Sequence, residues 1–186
     1  MSKVDPAIYT QALLFAIKAH GKQMRKGSHV PYITHPVAVS AILAQYGFAS
    51  QLILAGLLHD VVEDTAVTIT QICELFGPKI SQLVAGVTER KVEMGQLRCW
   101  EKRKAEQLAV LKVAELDVVA LRVADVLHNV LSIQRDLRTG CKVWDRFNRG
   151  RESQIANFKA VAAVAKQRLG DHPMVRELEE AIATIC

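Results

Sequence analysis

The chain has 186 residues and 50% hydrophobic content, enough for one compact domain with a substantial core. Its formal net charge of +5 comes from 24 basic and 19 acidic side chains, too small an excess to name a partner by itself. Aromatic content of 5% leaves few rings for stacking along a nucleic-acid strand, and no apolar run reaches the roughly 20 residues that span a membrane.

Helical period dominates the chain from the start. Asp5-Pro6 reads as an N-cap followed by proline at the first helical position, opening a helix that runs to Gly21. A loop follows, "KQMRKGSHVPYIT", with glycine and proline punctuation, and helical pattern resumes at His35-Pro36 until Gly47. The next helix is expected over about 49–63. Thr68-x-x-Gln71 has the form of a capping box before a short helix ending near Gly77, and Gly77-Pro78 opens another through Gly86. Residues 88–98 read as an exposed loop, followed by the amphipathic "CWEKRKAEQLAVLKVA" and by helices over 117–138, about 145–169, and 173–184. No repeat, low-complexity tract or long linker divides the chain, so one all-α domain over 1–186 is expected.

Charge is distributed unevenly along these elements. Residues 1–34 carry five basic side chains and one acidic, 135–151 carry six and two, and 35–87 carry one and four. Two basic segments and one acidic knot fit a small polyanion bridged to a metal, although solvated surface charge is the commoner reading of any single cluster. Cys73, Cys99, Cys141 and Cys186 form no CxxC pair and read as reduced thiols of a cytoplasmic protein.

The acidic knot is "LLHDVVEDT", residues 57–65, at the end of an apolar helix. A helical residue advances about 100°, so Glu63 falls about 40° from His59, Asp60 about 100° and Asp64 about 140°. Three carboxylates in a last turn oppose the helix dipole and repel one another unless a cation intervenes. His59 and Asp60 offer a nitrogen and an oxygen to a divalent metal, and Glu63 and Asp64 lie one turn on, placed to serve a water. The doublet alone is better read as an ordinary amphipathic helix end; the attached acids reverse that preference. Further ligands have to come from other helices. In "LRVADVLHN", 121–129, Asn129 lies about 40° and Arg122 about 60° from Asp125, on an otherwise Val- and Leu-rich helix. His35 in "YITHP" is another candidate, and on chemistry alone reads equally well as a surface histidine.

Taken together, "MRKG" at 24–27, "PYITHP" at 31–36, "LLHDVVEDT" at 57–65, "FGPKISQLVAGVTE" at 76–89, "WEKRKAE" at 100–106, "VADVLHN" at 123–129 and "WDRFNRG" at 144–150 resemble the HD-domain metal phosphohydrolases. Within them the chain is similar to the hydrolase half of the RelA/SpoT enzymes in its free-standing form, the small alarmone hydrolases. That resemblance implies an all-α HD-domain bundle with one divalent ion, normally Mn²⁺, on His35, His59, Asp60 and Asp125. It puts the acidic pair that serves the attacking water on Glu63 and Asp64, substrate contacts on Arg25 and Lys26, and Asn129 near the nucleotide sugar. The implied reaction removes the 3′-pyrophosphate of ppGpp and pppGpp, giving GDP or GTP plus pyrophosphate. Its partner is a small nucleotide, with no nucleic acid or membrane, and homo-oligomerisation is left open. At 186 residues the chain is expected to degrade alarmone and not make it.

Two features depart from the family pattern. Members usually read "ADRLHN" or "ADKLHN" followed by a hydrophobic residue and Arg, whereas this chain has Val126 and Leu131 at those two basic positions. The segment "IANFKA", 155–160, is also less aromatic than its counterpart. The resemblance therefore leaves two other readings standing: the same metal chemistry on another nucleotide, such as NADPH 2′-phosphate removal, or a non-catalytic alarmone sensor. Intact Glu63 and Asp64 argue against the sensor. Arg103, Lys104, Arg146 and Arg149 are candidates for the diphosphate end but read better as surface charge. His20, His29 and His172 read as structural or solvated, and His128 as either a support to the site or a core residue.

Overall fold

The computed structural model describes residues 4–186, so Lys3, counted above in the first basic block, lies outside the described residues. As expected, the fold is all-α, and one two-stranded hairpin is the only sheet among the described residues. Helix α1 (Pro6–His20) starts where the Asp5 carboxylate accepts the Ala7 amide at 2.8 Å and stops at Gly21, whose φ is +54°. Helix α2 (Thr34–Gln45) carries His35 at its second position.

Helix α3 (Ser50–Leu58) buries every residue from Leu52 to Leu58, as the unbroken apolar run requires. Its crossing with α2 is tight at Gly56, where an added Cβ would sit 2.9 Å from Leu43 Cδ1 and 3.0 Å from Ser40 Cα. The expected helix over 49–63 is not continuous. It breaks at His59 and Asp60, and a single turn, α4 (Val61–Asp64), follows. The cause is a side chain: the Gly56 carbonyl accepts His59 Nδ1–H at 2.8 Å in place of the next backbone amide, interrupting the ladder. The angular positions computed on one straight helix therefore do not carry across the break.

Helix α5 (Ile69–Phe76) opens on the expected capping box, with Gln71 N on Thr68 Oγ1 at 3.3 Å and Thr68 N on Gln71 Oε1 at 2.9 Å. Helix α6 (Pro78–Val87) follows Gly77. The segment expected as loop contains a hairpin, β1 (Val92–Glu93) against β2 (Gln96–Leu97), because Met94 and Gly95 both take positive φ and close a two-residue turn. Helix α7 (Trp100–Val113) leads to α8 (Leu116–Arg138), the longest helix, which packs against α2, α6, and the two C-terminal helices α9 (Arg151–Leu169) and α10 (Pro173–Ile185). Helix α9 begins later than the expected residue 145. A 3₁₀ turn at Val143–Arg146 comes first, held back on α8 by the Arg146 to Asp136 ion pair at 2.6 Å. No helix among the described residues is long and apolar enough to cross a membrane. The architecture thus wraps α2, the α3–α4 break and the middle of α8 around one point.

Candidate metal centre and its cavity

Four side chains from those three places converge. His35 Nε2 lies 3.1 Å from Asp125 Oδ1 and 3.4 Å from Asp60 Oδ2, while His59 Nε2 lies 3.0 Å from Asp60 Oδ2 and 3.9 Å from Asp125 Oδ1. Donors on a six-coordinate ion with bonds of about 2.1 Å are about 3 Å apart when adjacent, so these spacings suit a single divalent cation. His59 Nε2 is buried and, among the described residues, has no hydrogen-bond partner, even though Asp60 faces it. Two imidazoles and two carboxylates form a mixed donor set for a borderline or hard divalent ion.

Each of the four is oriented by a further contact. The Gly56 carbonyl that breaks the helix takes the His59 Nδ1 proton and leaves Nε2 turned toward the carboxylates. His35 Nδ1 is 2.6 Å from His128 Nδ1. Burial, with His35 and Arg25 nearby, lowers the His128 imidazole to about 3, so it stays neutral. It then has a ring nitrogen free to accept the His35 Nδ1 proton when His35 offers Nε2 to a metal. His128 is therefore a support to the site. Tyr32 donates its hydroxyl to Asp60 Oδ2 at 2.7 Å, and Asp125 accepts Arg122 Nη1 at 2.8 Å and Asn129 Nδ2 at 2.7 Å. His20 serves the backbone beside them, bonding Gln23, which in turn donates to the Asp64 carbonyl at 2.8 Å. His172 caps α10 instead.

The electrostatics follow from burial. Burial opposes charge on His59, yet the Asp60 and Asp125 carboxylates outweigh it and push its imidazole up to about 9. Burial lowers His35. Burial alone would raise both carboxyls, but His59 and His35 hold Asp60, and Arg122 and His35 hold Asp125, well below the usual carboxylate range. One imidazolium between two carboxylates leaves net negative charge, which a divalent cation with two neutral imidazoles would cancel.

The centre opens into a cavity of about 550 Å³ that also receives Arg25, Lys26, Glu63, Asp64 and Asn129. Glu63 accepts the Glu89 amide at 2.9 Å, and Lys91 reaches both Glu63, at 3.0 Å, and Asp64. Burial raises the Glu63 carboxyl above its usual value, against the opposing pull of Lys91. Arg25 donates to Asn129 Oδ1 at 2.8 Å, so a chain of hydrogen bonds runs from a cavity cation to Asp125. Lys26 reaches Asn148 at 2.8 Å.

Sequence reasoning missed several of these participants. Glu89 is buried beneath Lys104, Arg103 and Arg122, an ion cluster at the base of the cavity drawn from separate elements. Lys104 and Arg146, expected as surface charge, line the cavity, whereas Arg149 does lie on the surface, paired with Glu101 at 2.7 Å. Val126 is not simply packed in the core: it forms part of the cavity wall. Leu131 packs at the edge of the core. The "PYITHP" motif contained a signal for Tyr32, since a tyrosine two residues before a helix that begins with a ligand candidate is positioned to reach it.

Tyr32→Phe removes only the hydroxyl and so tests this support directly. Its expected result is a drop of about tenfold in divalent metal affinity by calorimetric titration, with a loss of about 1 kcal/mol in folding stability. Unchanged affinity would show that Asp60 is held without it.

Comparison with known proteins agrees with this geometry. The family model for the HD domain matches residues 12–153. The chain is 33% identical over 178 residues to the GTP pyrophosphokinase rsh of Brucella suis biovar 1 (strain 1330), covering 95% of this chain and 22% of the relative. It is 33% identical over 175 residues to the bifunctional (p)ppGpp synthase/hydrolase SpoT of Escherichia coli (strain K12), covering 91% and 23%. The chain thus spans less than a quarter of the length of these curated relatives. Among solved structures, a metazoan ortholog of SpoT that hydrolyses ppGpp superposes with a TM-score of 0.76 at 26% identity, covering 98% of this chain and 97% of that one. A protein of Listeria monocytogenes EGD-e superposes with a TM-score of 0.72 at 33% identity, covering 83% and 95%. The helical architecture, the gathered histidines and carboxylates and the family match lead to one assignment: this chain belongs to the HD-domain family.

Proposed function

We propose that the chain hydrolyses the 3′-pyrophosphate of the guanosine alarmones ppGpp and pppGpp, giving GDP or GTP plus pyrophosphate, with Mn²⁺ on His35, His59, Asp60 and Asp125. The observation that carries this reading is the convergence of those four side chains, with His59 Nε2 unpartnered, at the buried edge of the cavity that Glu63 and Asp64 line. The names of the SpoT and rsh relatives and the ppGpp-hydrolysing structural neighbour support the choice of substrate. Four exposed free cysteines suit a reducing compartment such as the cytoplasm.

In this reading a water oxygen bonds to the 3′ phosphorus, the bond from phosphorus to the ribose 3′ oxygen breaks, and that oxygen takes up a proton. The divalent ion supplies Lewis-acid polarisation of the phosphate and a lower pKa for the attacking water. Glu63, its carboxyl raised by burial, takes the water proton, and Asp64 orients the water beside it. Lys91 holds the two acids in place and adds positive charge beside the phosphates. Arg25 presents a planar fork and Lys26 a point charge to the polyanion, and Asn129 positions the sugar.

The test offers the manganese-loaded protein ppGpp, pppGpp, NADPH and deoxynucleotides. Pyrophosphate release from ppGpp is expected, and Glu63→Gln is expected to lower it at least a hundredfold while metal binding persists. Preferential phosphate release from NADPH would move the reading to the other nucleotide. Tight ppGpp binding without product would move it to the sensor.

A further inference from the structure

Gln154 and Asn157 sit three residues apart on α9, on one helical face, and each is only 8% exposed. Both line the cavity. Among the described residues, neither side-chain amide has a hydrogen-bond partner, although other polar groups along the same wall are engaged. Asn129 binds Arg25 and Asp125, Asp136 binds Arg146, and Ser132 faces His128. Their amide atoms keep accessible surface on the cavity side, so the pair presents free donors and acceptors to whatever enters the cavity.

The surrounding wall narrows what that is. Val126, Ile133, Val143, Phe147 and Phe158 line the same cavity, giving an apolar lining with ring faces. Of the cations that line the cavity, Arg146 is held by Asp136 at 2.6 Å with its stem against Gly27, and Arg135 pairs with the same Asp136 at 3.2 Å. A phosphate would find its charge poorly met on such a wall. A flat heterocycle would not: its faces suit Phe and Val, and its edge offers donors and acceptors together. A carboxamide answers such an edge, presenting one acceptor oxygen and two N–H donors.

We propose that Gln154 and Asn157 read the hydrogen-bonding edge of the substrate's nucleobase, and so set which nucleotide this chain prefers. The proposal rests on the nucleotide-hydrolase reading above and adds to it the pair that selects the base. The cavity divides accordingly, with phosphates held at the metal end beside Lys91, Arg25 and Lys26, and the base held against α9.

The test is calorimetric titration of GDP, IDP, ADP and inorganic pyrophosphate into the manganese-loaded parent and into Gln154→Leu and Asn157→Leu. The parent is expected to discriminate GDP from ADP. Each leucine variant is expected to lose GDP affinity about tenfold and to narrow that discrimination, with pyrophosphate affinity kept within about twofold. The proposal is overturned if GDP affinity is unchanged in both variants, if pyrophosphate weakens by the same factor, or if the parent binds GDP and ADP alike. Should the leucine variants fail to fold by circular dichroism, Gln154→Glu keeps the side-chain shape and removes the donors. Its ratio of GDP to ADP affinity is expected to change, and an unaltered ratio overturns the proposal. A parent that discriminates the bases yet releases no pyrophosphate from ppGpp keeps the amide subsite and sinks the hydrolase reading.

Discussion

Asp125→Ala is expected to abolish divalent metal binding and to destabilise the metal-free chain by about 3 kcal/mol. Asp125 is the central acceptor of the site, taking bonds from Arg122 and Asn129 and facing His35 and His59. Its removal leaves the guanidinium of Arg122, 9% exposed, with less opposing charge. Removing one member of a buried ion pair costs more than the pair is worth, because the other charge stays desolvated. Asp125→Asn separates the two effects. It keeps the shape and an acceptor for Asn129, so most of the stability should return while metal binding stays weak. Urea denaturation with and without Mn²⁺ reads both; an alanine variant that still gains stability on adding metal would remove Asp125 from the ligand set.

The second large effect belongs to Glu89, which no motif singled out. Burial alone would raise its carboxyl, but Lys104, Arg122 and Arg103 hold it below its ordinary value of 4.5. A carboxyl with a depressed folded pKa stabilises the fold fully above its unfolded pKa. That contribution is lost as pH falls through the lower folded value. Glu89→Gln strips three neighbouring cations of their shared counter-charge and is expected to cost about 3 kcal/mol at neutral pH. The gap between variant and parent should begin to narrow as the pH falls below the ordinary value of 4.5 and should close only below the lower folded value. Urea midpoints at a series of pH values give the comparison. A gap that stays constant down to acid pH would mean that shape, and not charge, is what Glu89 contributes.

The sequence was most readable where the signal is local. Asp5 before Pro6 and Thr68 three residues before Gln71 each cap a helix through contacts within one turn, and the structure has both. The apolar run at Leu52–Leu58 could only be a buried helix, and it is one. The break after it was not readable from periodicity, because a histidine ring competing for the Gly56 carbonyl leaves no mark in the spacing of apolar residues. The hairpin of Val92–Leu97 was hidden for a different reason: two residues per strand are too few to show alternation.

The site divides along the same line. The residues named from motifs, from His35 to Asp125, are gathered by the fold into one cavity or its buried edge, yet their supports come from far along the chain. His128 meets His35 across 93 residues, and Lys91 meets Asp64 across 27. Glu89 lies two residues past the end of α6, Lys104 on α7 and Arg122 on α8, and they become a cluster only when the chain folds. The departure at Val126 was visible in the sequence, but its place on the cavity wall was not.

The most direct measurement titrates Mn²⁺ into chelator-treated protein while following heat and pyrophosphate release from ppGpp in the same samples. One equivalent of metal should bind, and pyrophosphate release should rise in step with occupancy. Full activity in the presence of chelator, or inorganic phosphate in place of pyrophosphate as the product, would contradict the account.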